Sequence, residues 1–137
     1  MKHKFNYVQL GLWYRPIIPV TLKFNNIEFK YLALIDSGAD FNIFHGEIAK
    51  ILKIDLSKFK NSMKFNGINS NAEGKGYFTS IDLGINDKFI NTPVVFSNEI
   101  SDNGYGILGQ QGFFNNYNIC FSYLSKEIVL EDRKWNN

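Results

Sequence analysis

The segment Tyr31–Ile43 reads Y-L-A-L-I-D-S-G-A-D-F-N-I, and it decides how the rest of the chain is interpreted. An apolar strand, Leu32 to Ile35, runs directly into Asp36, and a short polar turn follows before the chain becomes apolar again at Phe41. Burying an isolated carboxylate is costly. An acid in this position is therefore expected either to accept hydrogen bonds from its own turn or to have an altered pKa and take part in chemistry. Taken alone, the pattern favours the simpler interpretation, an Asx turn that closes a strand.

A second segment reverses that preference. Ile107-Leu108-Gly109 follows Asp36-Ser37-Gly38 by about 70 residues and continues as Gln-Gln-Gly-Phe-Phe. Together the two segments resemble those of the retropepsin-like, single-domain aspartic peptidases, in which Asp-Ser/Thr-Gly follows an apolar strand. The tail is similar to the I-L-G-x-x-G-F-F segment of bacterial members. The resemblance covers roughly Arg15 to Glu131 and implies a closed β-barrel, the acid protease fold.

The resemblance also implies a reaction. Aspartic peptidases hydrolyse peptide bonds with two carboxyl groups that share one proton, one holding it while the other activates a water. Asp-Ser-Gly occurs once in 137 residues, so the second carboxylate must come from another copy across a two-fold axis. We therefore expect a homodimeric aspartic endopeptidase with an Asp36 pair and an extended peptide or protein substrate. The alternative, a catalytically silent peptide-binding or dimerisation module, shares the whole motif.

By resemblance, each residue of the Asp-Ser-Gly turn is expected to have a different role. Asp36 is the catalytic acid or base, Ser37 locks the two loops together across the axis, and Gly38 lets the substrate main chain approach closely. Ala39 and Asp40 are expected to contact the substrate, with Asp40 binding its backbone amides. Capping of the turn is an equally good interpretation of Asp40. Gln110 is a departure, because many retropepsins have Arg at this position, paired to the acid equivalent to Asp40.

Two predicted strands flank a Gly- and Asn-rich segment, Gly67 to Gly76, which is typical of a β-hairpin. The resemblance makes this hairpin the flap that closes over a bound peptide, although a plain mobile hairpin has the same sequence signature. The flap tip has fewer glycines than retroviral flaps. The substrate contacts expected from the tip are Gly67, Ile68 and Asn69. Leu34, Ile68 and Ile107 are expected to line apolar side-chain pockets.

The length and composition of the chain limit the alternatives. A chain of 137 residues with 45% hydrophobic and 16% aromatic residues fits one folded domain, divided here into an arm (1–15), a core (16–131) and a tail (132–137). The net charge of +2 argues against nucleic acid as a partner. The sequence predicts no cofactor, no metal site and no membrane span. The single cysteine, Cys120, is expected to pack in an apolar strand, and a reducing, cytoplasmic setting fits best.

Alternation of apolar residues predicts mostly β structure with one or two short helices. Ile18, Val20, Leu22 and Phe24 recur at every second position, and the strand after them is expected to end buried on both faces. Two-residue turns are predicted at Asn25-Asn26 and Asn86-Asp87. The remaining predicted elements are helices at 46–52 and 110–116, short strands at 88–90 and 94–96, and a terminal hairpin of 119–121 and 126–130.

Two further interpretations concern the ends of the chain and a glycine pattern. By resemblance, the termini build much of the dimer interface, so Phe5–Leu10 and Lys126–Leu130 are its candidates. The residues from Gly104 to Gly109 fit G-x-G-x-x-G literally, but no strand–helix–strand unit surrounds them. A dinucleotide site is therefore rejected.

Overall fold

The computed structural model of the chain describes residues 1–58, 62–66, 73–100 and 103–133. Within these ranges, none of the helices is long and apolar enough to cross a membrane. The helical elements there are α1 (Gly46–Ile51) and a 3-10 turn (Leu56–Lys58). The strands are β1 (Lys2–Asn6), β2 (Val8–Leu10), β3 (Trp13–Arg15), β4 (Ile17–Phe24), β5 (Ile27–Ile35), β6 (Ile43–His45), β7 (Ser62–Asn66), β8 (Glu73–Ile85), β9 (Lys88–Ser97), β10 (Gly106–Leu108), β11 (Tyr117–Ser122) and β12 (Glu127–Asp132).

Six strands form a closed barrel in the order β4-β5-β10-β6-β9-β8. The barrel closes where β4 pairs with β8, with Leu22 opposite Leu83. Strand β7 continues the sheet beyond β8, and a separate three-stranded sheet has the order β1-β12-β11. Full closure satisfies the edges of the barrel sheet, because each of the six strands has a hydrogen-bonded neighbour on both sides. The predicted mostly β, closed-barrel fold is confirmed.

The alternating pattern of β4 becomes the inner wall of this barrel. Ile18, Val20 and Leu22 are buried, and the core continues across the other strands and α1. Burying each large aliphatic or aromatic side chain contributes roughly 2 kcal/mol. The largest fully buried side chains are Phe44, Phe96, Phe113, Ile18, Leu22, Leu52, Ile81, Ile85, Leu108, Ile128, Leu130 and Val94.

Both predicted two-residue turns are present. Asn25 and Asn26 have φ values of 46° and 68° and join β4 to β5, while Asn86 and Asp87 have φ values of 49° and 66° and join β8 to β9. Asn and Asp tolerate this left-handed region better than other residues with a side chain, so the sequence itself selects these hairpins.

Helix α1 is confirmed, and it ends at Ile51, with Leu52 as its C-cap. Its N-cap was not foreseen from the sequence. The ring Nδ1 of His45 accepts a hydrogen bond from the Glu47 backbone N–H at 3.1 Å, as an Asn or Ser side chain does at other helix starts. Ile48 and Ala49 are the buried face that fixes the helix on the barrel.

Residues 88–97 form one strand rather than the two short strands that the sequence predicted. Pro93 lies inside this strand although proline has no N–H for a ladder bond. The Val95 N–H donates to the Asn42 carbonyl at 2.7 Å, and Pro93 lies two residues earlier, so its nitrogen faces the same edge of the strand. Strand β6 pairs only from Val95 onward, so Pro93 interrupts no ladder bond.

The predicted helix over 110–116 is wrong, because this segment forms consecutive turns. The N–H groups of Phe114 and Asn115 bond carbonyls five residues earlier, at Gly109 and Gln110, instead of the four of an α-helix. Gly112 has a φ of 114°, which no right-handed helix contains, and its N–H donates to the Asn115 side chain at 3.1 Å. This local hydrogen bond replaces the helical one.

Two burial predictions are also wrong. Strand β5 does not end buried on both faces, since Ala33 and Ile35 face the core whereas Leu32 is 43% exposed. Cys120 is exposed rather than packed, because it lies opposite Val129 on the outer face of β11 and β12, while Ile128 and Leu130 take the core side. In both strands, apolar composition alone did not reveal which face the described residues leave exposed.

A polar cluster joins the terminal sheet to the barrel. His3 is buried, and its Nε2 lies 3.0 Å from Asp132 Oδ1, while its Nδ1 lies 3.3 Å from the Asn86 side-chain amide. Lys88 Nζ donates to Asp132 Oδ2 at 2.7 Å. Burial by itself raises the pKa of Asp132, but the hydrogen bonds from Lys88 and His3 outweigh it and leave the pKa below its ordinary value. The ionised carboxylate therefore stabilises the attachment of β1 and β12 to the β8–β9 turn.

Asp132→Asn is expected to lower the free energy of unfolding by about 2 kcal/mol at about pH 7, since it leaves the partners of a charge-assisted network unpaired. A carboxyl group with a depressed folded-state pKa contributes stability above its unfolded value and loses it as the pH falls through the folded value. The deficit should therefore be full above about pH 4 and shrink below it.

Urea unfolding of both proteins across this pH range measures the effect. Asp87→Asn is the matched control, since Asp87 is exposed in a turn whose φ suits Asn, and it should leave stability within about 0.5 kcal/mol. An Asp132→Asn deficit that stays constant at the acid end contradicts the assignment.

Candidate active site

Asp36 lies where β5 leaves the barrel, between two neighbouring segments. The Ile35 N–H donates to the Pro16 carbonyl at 2.9 Å, on the side of β4. The Asp36 N–H donates to the Leu108 carbonyl at 2.9 Å, on the side of β10. Main-chain hydrogen bonds on both flanks thus fix the backbone at the point where the acid is attached.

The Asp36 turn is an Asx turn. The Gly38 N–H donates to Asp36 Oδ1 at 2.9 Å, and the Ala39 N–H donates to the Asp36 carbonyl at 3.1 Å. Oδ2 of Asp36 accepts no hydrogen bond from the described residues. Asp36 is half-buried and Ser37 and Gly38 are exposed, so the carboxyl group that fixes the turn remains partly accessible. The hydrogen-bonded turn expected from the sequence is present, and it leaves the acid available to a ligand.

The two sequence motifs meet in space. The Gln110 N–H donates to the Ala39 carbonyl at 2.9 Å, and the Gln111 N–H donates to the Asp40 carbonyl at 2.8 Å. The Gln110 side-chain amide donates to the Ser37 carbonyl at 2.8 Å. The segment after Ile107-Leu108-Gly109 is thus joined along its length to the turn that carries the acid. Gln110 thus holds the loop through a hydrogen bond from its uncharged side-chain amide. Many retropepsins have Arg at this position.

Asn42 is the buried centre of this arrangement. Its side chain is fully buried, Oδ1 accepts from the Gly109 N–H at 3.0 Å, and Nδ2 donates to the Pro93 carbonyl at 3.2 Å. Its own carbonyl accepts from Val95. One residue therefore ties the acid loop to the β10 segment and to β9. Sequence reasoning missed this role, although a lone amide between Phe41 and Ile43 was a signal of buried hydrogen bonding.

Two glycines of the 104–109 segment are required by close packing. A Cβ on Gly109 would lie 2.3 Å from the Phe41 carbonyl oxygen, and one on Gly106 would lie 2.3 Å from the Phe44 ring. Distances this short exclude a side chain at either position, because the first obstacle is backbone and the second is a buried ring. Close packing thus accounts for Gly106 and Gly109, whereas Gly104 has open space around it and a φ of 83°, a conformation that favours glycine.

An apolar surface lies beside the acid. Leu34 precedes Asp36 by two residues, so the two side chains lie on the same side of the strand. Leu34 is opposite Ile107 in the parallel β5–β10 pairing, and Ile107 is opposite Ile43 in the antiparallel pairing with β6. All three apolar residues are half-buried, as expected for a surface that can accept apolar groups from a ligand.

Of the remaining predicted site residues, the structure describes Ala39 and Asp40, which belong to the acid loop. Ala39 is half-buried, and Asp40 is exposed with its carbonyl bonded to Gln111. The Phe41 ring meets the Phe78 ring edge-on at 4.9 Å, which connects the acid loop to β8. Strands β7 and β8 pair from Ser62 to Asn66, and the predicted tip residues (Gly67, Ile68 and Asn69) lie outside the described residues. The described residues contain no group of three or more His, Cys, Asp or Glu side chains placed to hold a metal ion.

Asn42→Ala is expected to lower the free energy of unfolding by about 3 kcal/mol, because it leaves the buried Gly109 N–H and Pro93 carbonyl without partners. Thermal and urea unfolding measure the loss. Asn91→Ala is the control, since Asn91 is exposed and its amide donates to the exposed side of Asp82, so the change should be within about 0.5 kcal/mol. Equal effects of the two substitutions would show that Asn42 is not the structural centre of the site.

Comparison with protein-family models gives no match, and comparison with curated protein sequences gives none either. Solved structures do match. A retropepsin-like aspartic protease from Rickettsia conorii aligns with a TM-score of 0.67 and 18% identity, over 95% of this chain and 98% of that one. EIAV protease in complex with an inhibitor aligns with a TM-score of 0.44 and 19% identity, over 75% and 88% of the two chains. The near-complete alignment with the first of these structures shows that this chain has the retropepsin-like fold.

Proposed function

We propose that this chain is an aspartic endopeptidase that acts as a homodimer, with one active site formed by Asp36 of each copy. The observation that carries the proposal is the state of Asp36. It ends a barrel strand, one of its oxygens is fixed by its own turn, and the other accepts no hydrogen bond from the described residues. A carboxylate held in this way is positioned to bind a water and to accept its proton.

The need for a second copy follows from the contacts of the turn. Sharing one proton requires two carboxyl groups within a few ångströms of each other, since like charges at that distance cannot both ionise. Among the described residues, the groups that bond this loop from outside it are the main chain of Leu108, Gln110 and Gln111 and the side-chain amide of Gln110, and none of them is acidic. A two-fold axis beside Asp36 supplies the missing carboxyl group from an identical loop.

The proposed reaction is the addition of water to a peptide bond. The ionised carboxylate of the pair removes a proton from water while the oxygen of that water attacks the peptide carbonyl carbon. The protonated carboxyl gives its proton to the carbonyl oxygen, which forms a tetrahedral gem-diol. The proton taken from water then passes to the peptide nitrogen. The C–N bond breaks while one hydroxyl of the gem-diol returns its proton to the ionised carboxylate, so that a carboxylic acid and an amine leave and the pair again holds one proton.

An extended peptide fits the surroundings of the acid. We assign the approach of the substrate main chain to Gly38, which is exposed and carries no Cβ. The exposed carboxylate of Asp40 is the proposed acceptor for a substrate N–H. Leu34 and Ile107 provide an apolar surface for alternate side chains of an extended strand. The β7–β8 hairpin, with Gly67, Ile68 and Asn69 at its tip, is the proposed flap that covers the peptide and excludes water.

Asp36→Asn tests this proposal most simply. The substitution is nearly isosteric and keeps an oxygen that can accept from the Gly38 N–H, but it removes the group that takes the proton from water. Cleavage of a diverse peptide pool should fall by at least about 10³-fold. The melting temperature and the sedimentation behaviour of the variant should match the wild type.

Mass spectrometry of the peptide pool, with both proteins side by side at mildly acidic and neutral pH, gives the readout. Equal cleavage by the two proteins would assign the activity to a contaminant and contradict the proposal. Peptide binding by both proteins with cleavage by neither would favour the silent binding module.

Gln110→Glu tests the position of the loop. It replaces the amide that donates to the Ser37 carbonyl with a carboxylate, so the hydrogen bond is lost and a negative charge is added beside the turn. We expect kcat/KM to fall about tenfold or more, which corresponds to one lost hydrogen bond of about 1.4 kcal/mol.

Gln111→Glu is the matched control, because it adds the same charge one residue later, and Gln111 bonds the loop through its backbone N–H. Steady-state kinetics and melting temperatures of both variants separate positioning from stability. Equal kcat/KM values for the two variants would remove the proposed role of the Gln110 side chain.

A further inference from the structure

One apolar row crosses the outer face of the barrel. Each of the six barrel strands contributes one residue to it, and each residue is the cross-strand partner of the next. Leu34, for example, lies opposite Ile17 on one side and Ile107 on the other. Cross-strand partners lie on the same face of a sheet, so their side chains are neighbours. In order across the sheet, the row consists of Ile17, Leu34, Ile107, Ile43, Val95 and Phe78.

The row faces away from the interior of the barrel. Side chains alternate along a strand, and residues next to members of the row, such as Ile18, Phe44 and Phe96, belong to the buried interior cluster. Ile17 and Val95 are nevertheless only 3% and 1% exposed, and neither belongs to that cluster. The barrel therefore has a second, smaller apolar layer on its outside.

The acid loop reaches one end of this row. Phe41 precedes Ile43 by two residues, and its ring meets the Phe78 ring edge-on with the centroids 4.9 Å apart. Both rings are half-buried, and we call them the aromatic pair. Leu34, further along the row, is on the same side of β5 as Asp36. The row thus extends from the strand that carries the acid to the aromatic pair.

The spacing of this surface matches an extended peptide. Phe41 forms a bridge with Gln111, and Ile43 begins β6, so the side chains of Phe41 and Ile43 lie on one side of the chain, about 7 Å apart. Alternate side chains of a bound extended peptide have the same spacing. A peptide that places one side chain over Ile43 and Ile107 therefore places the side chain two residues away over the aromatic pair. Burial of a large apolar side chain against these rings is favourable.

We propose that the aromatic pair is a second side-chain subsite that selects a large apolar residue of the substrate, an inference that rests on the proposed function. The substrate class is then a peptide with two apolar residues two positions apart. Both residues lie on one side of the scissile bond, because both contacts belong to one copy and the bond lies at the two-fold axis. Asp40 is an exposed acid next to Phe41, so selection of a basic residue is the competing outcome.

Alanine scanning of a cleaved peptide tests the spacing. Each residue of the peptide is replaced by Ala in turn, and kcat/KM is measured for each product. Two positions separated by one residue, on one side of the scissile bond, should each lower kcat/KM by about tenfold or more. Lys at the position farther from the bond should be cleaved no better than Ala. Faster cleavage with Lys would assign this position to Asp40 and overturn the subsite.

Substitutions of Phe78 assign the farther position to the aromatic pair. Phe78→Ala should remove the discrimination between Leu and Ala at this position, whereas Phe78→Leu should retain it. Phe78→Glu should create a preference for Lys over Leu, because a carboxylate then faces the substrate side chain. A new preference cannot arise from loss of fold. A purely structural role of Phe78 would instead lower the cleavage of all these peptides by the same factor, which contradicts the proposal.

Phe89→Ala is the matched control. Phe89 is a partly exposed ring, 37% accessible, on the neighbouring strand β9, where it lies against Gly84. Gly84 is six residues from Phe78 along β8, a distance of about 20 Å. The control should keep the wild-type preference among the peptides. Loss of the preference in this variant as well would show that Phe78 acts through stability alone.

Binding to Asp36→Asn chains makes the test independent of cleavage. Fluorescence anisotropy with labelled peptides gives the Kd of this protein, alone and combined with Phe78→Ala. The Leu peptide should bind about tenfold more tightly than the Ala peptide only where Phe78 is present. Cleavage with unchanged preference in every Phe78 variant overturns the subsite and leaves the proposed function intact. Selective binding through Phe78, in a wild-type protein that cleaves no peptide, supports the subsite and contradicts the proposed peptidase.

Discussion

The structure depends on the hydrogen bonds that join the acid loop to the segment after β10. Asn42 places the Gly109 backbone, Gly109 admits the Phe41 main chain, and Gln110 bonds both Ser37 and Ala39. The loop cannot satisfy its own backbone, because Asp36 Oδ1 is used within the turn and the carbonyls after it need donors from elsewhere. Gln110 and Gln111, in the segment after β10, supply those donors, so the position of this segment and the geometry of the acid are one constraint.

Local rules of the sequence were sufficient for much of this fold. The Asn25-Asn26 and Asn86-Asp87 turns are encoded by residues that tolerate positive φ, and the alternation through Ile18, Val20 and Leu22 fixes which side of β4 faces the core. The turn at Asp36 could also be predicted, because the Gly38 N–H lies within two residues of Asp36 and donates to its carboxylate. Each of these features is decided within a few residues, where tertiary contacts have little room to override the local preference.

The errors arose where a distant element decides the outcome. The 110–116 segment was predicted to be a helix, but the bonds that Gln110 makes to the acid loop and the φ of Gly112 require turns. Leu32 and Cys120 are apolar residues in strands, yet both are exposed in the part of the chain that the structure describes. The buried amide of Asn42 has partners 51 and 67 residues away, so no local pattern could identify them. The spacing of apolar residues along the chain shows neither the long-range hydrogen bonds of a residue nor whether another element packs on its strand.

The central claim is that one site is shared by two chains, and mixing wild-type chains with Asp36→Asn chains tests it directly. With random pairing, a site that needs both carboxyl groups is complete only in dimers of two wild-type chains, so specific activity per total chain should follow the square of the wild-type fraction. An equal mixture should retain roughly one quarter of the wild-type activity at constant total concentration. Activity that falls linearly, to roughly one half, would show that each chain works alone and would contradict the shared site.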